Sequence, residues 1–318
     1  MNRYPPPTLS KGVATIGGQT IAISHVDLDR LLGSGANGFV FGGTDHTLNR
    51  PVAVKIWPPR LDRARPVDHT EQALREARKL ATIKSDHVVP VYHAGHLDNG
   101  WVYVTMEFFD GVALQDIRES LDDNFPIRRM IWTDVARGLD DSESVGAYHG
   151  DLHGGNVLVA GLKIAIVDFG TSMVAGRDYS LKRHGRMVHR FANWLLPELN
   201  SYLPSPDIPN MVPPEYATRA VGLWVRTAEE LLALNTDLPR LTDHEVAPRL
   251  SSLGRSCVAP WVDLATPVAT WLAQRGVLQR NIERFSEAVA AENERQEIVS
   301  PSKVWFGILS NRPVGIAD

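Results

Sequence analysis

The sequence has little cysteine and no long hydrophobic run, and these two absences narrow the classes of protein to be considered. Cys257 is the only cysteine among 318 residues, so no disulfide can form within the chain and a disulfide-stapled fold is excluded. No apolar stretch approaches the length that spans a bilayer, and residues 1–10 lack the apolar core of a signal peptide. We therefore expect a soluble, cytoplasmic protein with no membrane partner.

A strong excess of one charge is also missing. The 33 Lys and Arg residues nearly balance the 37 Asp and Glu residues, which leaves a formal net charge of -4. Surfaces that bind nucleic acid usually show as a basic excess, so the composition gives no reason to expect a nucleic-acid partner. The hydrophobic fraction of 43% is enough for a sizeable core, and the length allows one large or two moderate domains.

One glycine-bearing stretch carries most of the recognisable chemistry. It reads Tyr148-His149-Gly150-Asp151-Leu152-His153-Gly154-Gly155-Asn156, and Val167-Asp168-Phe169-Gly170 follows after a short apolar interval. The glycines favour a loop over a helix. Carboxylate and amide oxygens are the hard donors that Mg²⁺ prefers, so Asp151, Asn156 and Asp168 predict the metal and proton site of a phosphotransferase.

Two upstream motifs agree with that interpretation. The run Gly33-Ser34-Gly35-Ala36-Asn37-Gly38-Phe39-Val40 fits G-x-G-x-x-G-x-V, and Pro51-Val52-Ala53-Val54-Lys55 fits the strand that carries a nucleotide-binding lysine. Each motif alone is a weak signal, but their order and separation make coincidence improbable. The chain therefore resembles the protein-kinase-like superfamily.

The resemblance implies an α+β, bilobal fold, in which a small antiparallel-sheet N-lobe with one main helix precedes a larger, mostly helical C-lobe. We place the N-lobe at residues 19–106 and the C-lobe at 107–300, with tails at 1–18 and 301–318. Residues 1–18 bear proline and glycine and predict a loose tail or an edge extension. Apolar spacing predicts helices at Val67–Lys84, Ile127–Asp140, Leu181–Tyr202, Glu215–Leu234, Trp261–Gly276 and Asn281–Arg295.

The resemblance also assigns a nucleotide site. Backbone N–H groups of Gly33, Gly35 and Gly38 would approach the phosphates of ATP. Lys55 would neutralise the α- and β-phosphates, and because a buried ammonium needs a partner, Glu76 would hold it, with Glu71 as the rival carboxylate. The adenine pocket would be formed by Val40, Ala53, Met106, Glu107, Phe109 and Leu158.

The catalytic roles follow from the same resemblance. Asp151 would take the proton of the attacking hydroxyl, and Asn156 and Asp168 would hold Mg²⁺. His153 stands where typical protein kinases carry a lysine near the γ-phosphate, and a histidine is charged only part of the time near neutral pH. Gly150 replaces the arginine that usually precedes the aspartate.

A zinc site formed by His149 and His153 is the metal-protease-like alternative, since these histidines have the i, i+4 spacing of helical zinc pairs. It is disfavoured because glycines interrupt the stretch and the expected glutamate is absent. The resemblance implies instead that His149 packs beneath Phe169 as a structural histidine.

The phosphate acceptor stays open at this point. The loop H-G-D-L-H-x-G-N and the short segment after Gly170 are similar to aminoglycoside and choline phosphotransferases, whereas the glycine loop and the Val-Ala-Val-Lys strand resemble bacterial serine/threonine protein kinases. We expect an ATP- and Mg²⁺-dependent protein serine/threonine kinase; the alternatives are a small-molecule phosphotransferase and a nucleotide-binding pseudokinase scaffold. The partner would be a protein substrate or a small hydroxyl acceptor. A basic run of Lys182, Arg183, Arg186 and Arg190 either holds an anionic substrate or forms a solvated helix face.

Overall fold

The computed structural model describes residues 4–35, 38–58, 69–169, 177–202, 214–237, 247–251, 254, 265–274 and 276–297. The chain divides into two compact units, Met1–Phe191 and Ala192–Asp318. All four predicted sequence motifs lie in the first unit.

The described residues of the first unit form three antiparallel sheets. The strand order is β1-β2-β3 in the first, β4-β5-β6-β8-β7 in the second and β11-β10-β9 in the third. In chain order the strands are β1 Thr8–Ser10, β2 Val13–Ile16, β3 Gln19–Ile21, β4 Val26–Gly35, β5 Gly38–Asp45, β6 Arg50–Trp57, β7 Val91–His96, β8 Val102–Glu107, β9 Val112–Ala113, β10 Val157–Ala160 and β11 Lys163–Ile166.

The β-strand alternation of β6 gives the five-stranded sheet two different faces. Val52, Val54 and Ile56 are buried in one hydrophobic cluster with Ala14, Ile16 and Ile21 of β2 and β3. Successive side chains of a strand point to opposite faces, so Ala53 and Lys55 belong to the other face. The first sheet therefore covers one side of the second, and the lysine is directed to the side that remains.

Two of these strands lie within residues 1–18, the segment predicted as a loose tail or an edge extension. Residues 8–16 form β1 and β2, and Trp101 Nε1 donates a hydrogen bond to Gln19 Oε1 at 2.5 Å, while the ring of Tyr4 lies 5.3 Å from that of Trp101. The proline and glycine content suggested a loose segment, but the glycines serve the tight turns between short strands. Gly12, Gly17 and Gly18 all have positive φ.

Helices and short turns complete the first unit. Helix α1, His69–Leu80, packs against β7 and β8 and ends four residues before the predicted end at Lys84, while residues 67–68 of the predicted helix lie outside the described residues. Helix α2, Leu114–Ile117, leads to α3, Phe125–Ser144, whose first turn is capped by the Asn124 side chain accepting from Ile127 N–H. After α3, Gly146 has φ 70° and turns the chain toward the catalytic loop.

Helix α4, Arg177–Leu195, contains the boundary between the two units. The second unit continues with a 3₁₀ turn at Pro197–Tyr202 and then α5 Ala217–Asp237, α6 Ala265–Gln274 and α7 Gln279–Glu297. Leu272, Ile282 and Phe285 are buried in the part formed by α6 and α7. Each predicted later helix is present with shifted ends, and part of the one predicted at Trp261–Gly276 lies outside the described residues.

The predicted α+β class is confirmed, with antiparallel sheets in the N-terminal region and helices in the C-terminal region. The lobe and tail boundaries drawn from the sequence stay predictions, and residues 301–318 lie outside the described part. Among the described residues, no helix combines the length and the apolar character needed to cross a membrane.

Candidate active site

Lys55 and Asp168 form an ion pair between β6 and the segment after β11. Lys55 lies between Val40 of β5 and Val104 of β8 in the sheet register, and only 6% of the residue is exposed. Asp168 has φ 67°, a left-handed conformation that aspartate tolerates better than most residues. Strained backbone of this kind recurs at functional sites.

The predicted partner of Lys55 was Glu76, and this pairing stays a prediction; the contact that the described residues show is to Asp168. Glu76 lies in α1, but its side chain is outside the described residues. The rival Glu71 accepts a hydrogen bond from Arg78 at 3.1 Å and is about half exposed. Both predicted partners lie on α1, whereas the fold also brings the Asp168 carboxylate to the lysine from the segment after β11.

Hydrogen bonds bring Asp151, Asn156 and Asp168 into one small region. Asn156 Nδ2 donates to the backbone carbonyl of Asp151 at 3.0 Å, and the carbonyl of Asn156 accepts from Val167 N–H at 2.9 Å. Asn156 is 8% exposed. The short turn Gly154–Asn156 therefore ties the Asp151 loop to the residue that precedes Asp168.

His149 lies beneath this region. It is fully buried, and its ring lies 4.6 Å from that of Phe169, so the predicted packing is confirmed. Nδ1 accepts from Asp151 N–H at 3.3 Å, which leaves Nε2 to donate to the Val167 carbonyl at 2.9 Å. Burial lowers the pKa of His149 to about 4, so the ring is neutral near pH 7.

His153 is exposed and folded against its own loop. Its Nδ1 accepts from Gly155 N–H at 3.1 Å, and its Nε2 lies 3.1 Å from Asn156 Nδ2. The ring thus lies beside Asn156, so it supports the loop instead of extending from it as a lysine would.

The glycines of the β4–β5 hairpin have different surroundings. A Cβ atom on Gly33 or Gly35 would meet nothing within 4 Å, so both face open space. Gly38 has φ 140°, and a Cβ there would lie 2.1 Å from the Ile56 carbonyl of β6. Gly38 is therefore required for the close approach of β5 and β6, which its sequence motif did not reveal. Ala36 and Asn37 lie outside the described residues.

A small cavity opens beside the ion pair. Its lining includes two charged side chains and a larger apolar part, among them Lys55, Asp168, Leu80, Val104, Met106 and Phe169. Such a wall with few polar groups is typical of small-molecule sites. The predicted adenine contacts Val40, Ala53 and Leu158 are not part of this lining, which extends toward α1.

Those three residues nevertheless have defined places. Val40 pairs with Lys55, and Ala53 pairs with Met106, so both share the face of the sheet that bears the lysine. Leu158 lies on β10 between Ala113 and Ala165. Their contact with adenine stays a prediction.

The backbone after β8 offers a limited set of hydrogen-bonding groups. Glu107 N–H donates to the Pro90 carbonyl at 3.0 Å, and the Phe109 carbonyl accepts from Gly111 N–H at 3.0 Å. An adenine pairing with these two residues would therefore use the Glu107 carbonyl and the Phe109 N–H.

Helix α4 adds two relationships that sequence motifs did not predict. Arg183 Nη2 lies 3.6 Å from Asp151 Oδ1. The neighbouring His184 is fully buried, and its Nε2 lies 2.6 Å from Glu143 Oε1 of α3, which is also fully buried. Burying a charge is costly unless it is paired, so this contact fixes α4 against α3. A glutamate and a histidine 41 residues apart gave no local signal.

Comparison with known proteins identifies the family. Residues 26–204 match the protein kinase domain, which is more than half of the 318 residues. Serine/threonine-protein kinase PknD of Mycobacterium tuberculosis is 30% identical over 198 residues, which cover 60% of this chain and 28% of PknD. PknE of the same species is 34% identical over 163 residues, covering 51% of this chain and 28% of PknE. The match thus spans little more than a quarter of these curated relatives.

A solved structure is similar to this chain at lower identity. The crystal structure of the Mycobacterium tuberculosis PknI kinase domain is 20% identical to this chain, with a TM-score of 0.44, and the match covers 59% of this chain and 78% of that one. The family assignment rests on the sequence match over residues 26–204. The chain belongs to the protein kinase domain family.

Proposed function

We propose that this protein transfers the γ-phosphate of ATP to serine or threonine hydroxyls of a protein substrate, with Mg²⁺ as the metal. The observation that carries the proposal is the Lys55–Asp168 pair beside the Asp151–Asn156 loop. It unites in one place a cation for phosphates, oxygen donors for a metal and a carboxylate for a proton. The serine/threonine kinase relatives support the choice of acceptor.

The donor set suits Mg²⁺, which takes oxygen ligands and is bound through one or two protein groups plus substrate phosphates. Asp168 offers a carboxylate. Because the Nδ2 of Asn156 donates to the Asp151 carbonyl, its Oδ1 is the atom to offer a metal. When bound, the ion would offset the negative charge on the transferred phosphoryl group.

The protein's own groups would position and polarise the reactants. Lys55, held in the sheet, would leave its direct contact with Asp168 for the α- and β-phosphates. Gly33 and Gly35, which face open space, would let backbone N–H groups reach the phosphates. Positioning and electrostatics carry most of the rate enhancement in phosphoryl transfer.

Asp151 would accept the proton of the attacking hydroxyl. Its side chain is 41% exposed, so an acceptor can reach it. Its backbone is fixed from both sides, since its N–H donates to His149 and its carbonyl accepts from Asn156. General-base action of this kind contributes about 10²- to 10⁴-fold in rate.

A small-molecule phosphotransferase is the second candidate. It is favoured by the short connection from Phe169 to α4, which begins at Arg177; the residues between them, 170–176, lie outside the described part. A protein acceptor usually rests on a longer segment there, as the protein-kinase resemblance implies.

The test is incubation of the purified chain with γ-labelled ATP, Mg²⁺ and two acceptors in parallel, casein and a pool of aminoglycosides and choline. We expect label in phosphoserine or phosphothreonine of the protein. Label confined to small molecules would favour the second candidate. No transfer to either, with ATP still bound, would leave the pseudokinase alternative.

A further inference from the structure

Helix α4 carries a line of arginines, and one end of this line lies beside Asp151. Arg183 Nη2 lies 3.6 Å from Asp151 Oδ1, and both side chains are partly exposed, at 37% and 41%. Arg186 and Arg190 follow on the same helix and are exposed. Positions i, i+3 and i+7 fall on one helical face. The three guanidinium groups therefore form one stripe, which we call the α4 arginine stripe.

Among the described residues, the other cations near Asp151 are already engaged. Lys55 pairs with Asp168. The His153 ring is folded against Gly155 and Asn156, and position 150 is a glycine. Arg183 is thus the described cation that directly faces the carboxylate proposed to receive the acceptor hydroxyl.

Along the rest of the stripe, none of the described residues neutralises the positive charge. Within the described part of the chain, no carboxylate pairs with Arg186 or Arg190. The overall composition is slightly acidic, with a net charge of -4, so the stripe is a local departure from the charge of the whole molecule. The α4 arginine stripe is therefore suited to bind a negatively charged group.

We propose that the α4 arginine stripe binds an acidic segment of the protein substrate next to the phosphorylated hydroxyl, an inference that rests on the proposed function. A general base acts on a hydroxyl within about 3 Å, so the acceptor residue lies close to Arg183. Arg190 lies about 10 Å farther along the helix, at about 1.5 Å per residue. An extended peptide covers that distance in about three residues, at about 3.3 Å each.

The α4 arginine stripe attracts acidic substrates although the Asp151 carboxylate at its end repels them. The Asp151 carboxylate lies at one end of the stripe, beside Arg183, whereas Arg186 and Arg190 lie one and two turns away. An acidic side chain next to the acceptor hydroxyl would lie near both the Asp151 carboxylate and the Arg183 guanidinium. An acidic side chain two or three residues away would lie near arginines alone. Exposed ion pairs are each worth about two- to fivefold in affinity. Two such pairs would give about a tenfold preference.

The experiment measures kcat/KM for matched peptides at low and high salt. Each peptide has one serine and a run of three Glu or three Gln residues on one side of it. The run lies on the N-terminal side in one pair of peptides and on the C-terminal side in the other pair. We expect the wild-type protein to prefer one of the Glu peptides over its Gln counterpart by about tenfold at low salt, and the preference to shrink at high salt. The double variant Arg186→Glu, Arg190→Glu should lose the preference for the Glu peptide. It should favour instead a peptide with three Lys residues at the same positions.

Arg137→Glu is the matched control, because Arg137 is an exposed arginine on α3, paired with Asp134 at 3.3 Å. It should keep the wild-type preference. If the charge-reversed double variant melts early, Arg186→Gln with Arg190→Gln provides the same comparison. Equal kcat/KM for Glu and Gln peptides in the wild type would overturn the inference and leave the kinase function intact. Absence of transfer to every peptide and to casein would overturn both.

Discussion

The Lys55 ammonium meets the Asp168 carboxylate although the two residues are 113 positions apart in the chain. The contact joins the five-stranded sheet to the segment that follows β11. A nucleotide with its metal would have to share both charges, so this pair has to open for catalysis. The ion pair is therefore a structural feature of the free protein and a part of the proposed site.

The first prediction concerns the unequal burial of the two partners. Lys55 is nearly fully buried, whereas the Asp168 side chain is 36% exposed. Asp168→Asn leaves the Lys55 ammonium in the mainly apolar wall of the cavity without the carboxylate charge. It should lower the free energy of unfolding by about 1–3 kcal/mol, a range that is reduced because the Asp168 side chain is partly exposed. Lys55→Met replaces the lysine with a side chain of similar volume and should cost less. Urea unfolding without nucleotide measures both.

Phosphoryl transfer provides the second readout for the same pair. Both variants should lose at least about tenfold in kcat/KM, since each removes a charge that faces the phosphates or the metal. A Lys55→Met variant that is less stable than Asp168→Asn would contradict the burial argument. Unchanged turnover in both would remove the pair from the proposed site.

The second prediction separates the glycines of the β4–β5 hairpin. Gly38→Ala should lower stability, because a Cβ there would lie 2.1 Å from the Ile56 carbonyl and φ is 140°. We expect a loss of about 1–3 kcal/mol, the usual cost of a strained backbone position. Gly33→Ala and Gly35→Ala meet no neighbours and should fold normally, with a raised KM for ATP.

Thermal melting and ATP kinetics of the three variants test this division. The opposite pattern would refute it, with Gly38→Ala as stable as the wild type and Gly33→Ala strongly destabilised. The matched changes are all Gly→Ala within one hairpin, so each variant serves as a control for the others.

The third prediction is a pH dependence of stability that comes from His149. Burial lowers its pKa in the folded protein to about 4, below the ordinary value of 6.5. Between these values the unfolded chain binds more protons, so stability is complete above about pH 6.5 and is lost as the pH falls toward 4. The contribution is about 3 kcal/mol, at about 1.4 kcal/mol per pKa unit.

His149→Gln should therefore show a shallower loss of stability between pH 6.5 and 4.5, and it should be less stable at pH 7 because it loses the ring's packing on Phe169 and its hydrogen bond to Val167. Denaturant unfolding at a series of pH values measures the slope. His46→Gln is the control for the same substitution at a histidine that is about half exposed on the surface. An identical slope in His149→Gln would exclude His149 as the source.

The proximity of the motif residues could be predicted where a motif states the backbone role directly, whereas their roles stay predictions. Asp151, Asn156 and Asp168 lie together because the glycines of their loop allow the turns that the sequence signals, such as Gly150 with φ 70°. The helices of the C-terminal region were also predicted from apolar spacing, with errors of a few residues at their ends. Helix ends depend on capping, such as that by Asn124, more than on periodicity.

Other features depend on contacts distant in sequence. The first sheet is stable because Ile16 and Ile21 pack against β6. In the sequence alone this packing partner is unknown, so short strands separated by turns resemble a loose tail. Likewise, nothing near Arg183 in the chain indicates Asp151, and nothing near Glu143 indicates His184. Such pairs follow from tertiary packing, which local patterns do not encode.

The rate of phosphoryl transfer by Asp151→Asn, measured beside its ATP affinity, tests the proposed mechanism most directly. The substitution keeps the shape of the side chain and removes its capacity to take a proton. We predict nearly unchanged ATP binding and a rate at least about tenfold lower, toward the 10²- to 10⁴-fold range of general-base catalysis. Transfer by Asp151→Asn at the wild-type rate, with ATP bound equally well, would contradict the role assigned to Asp151 and the site built around it.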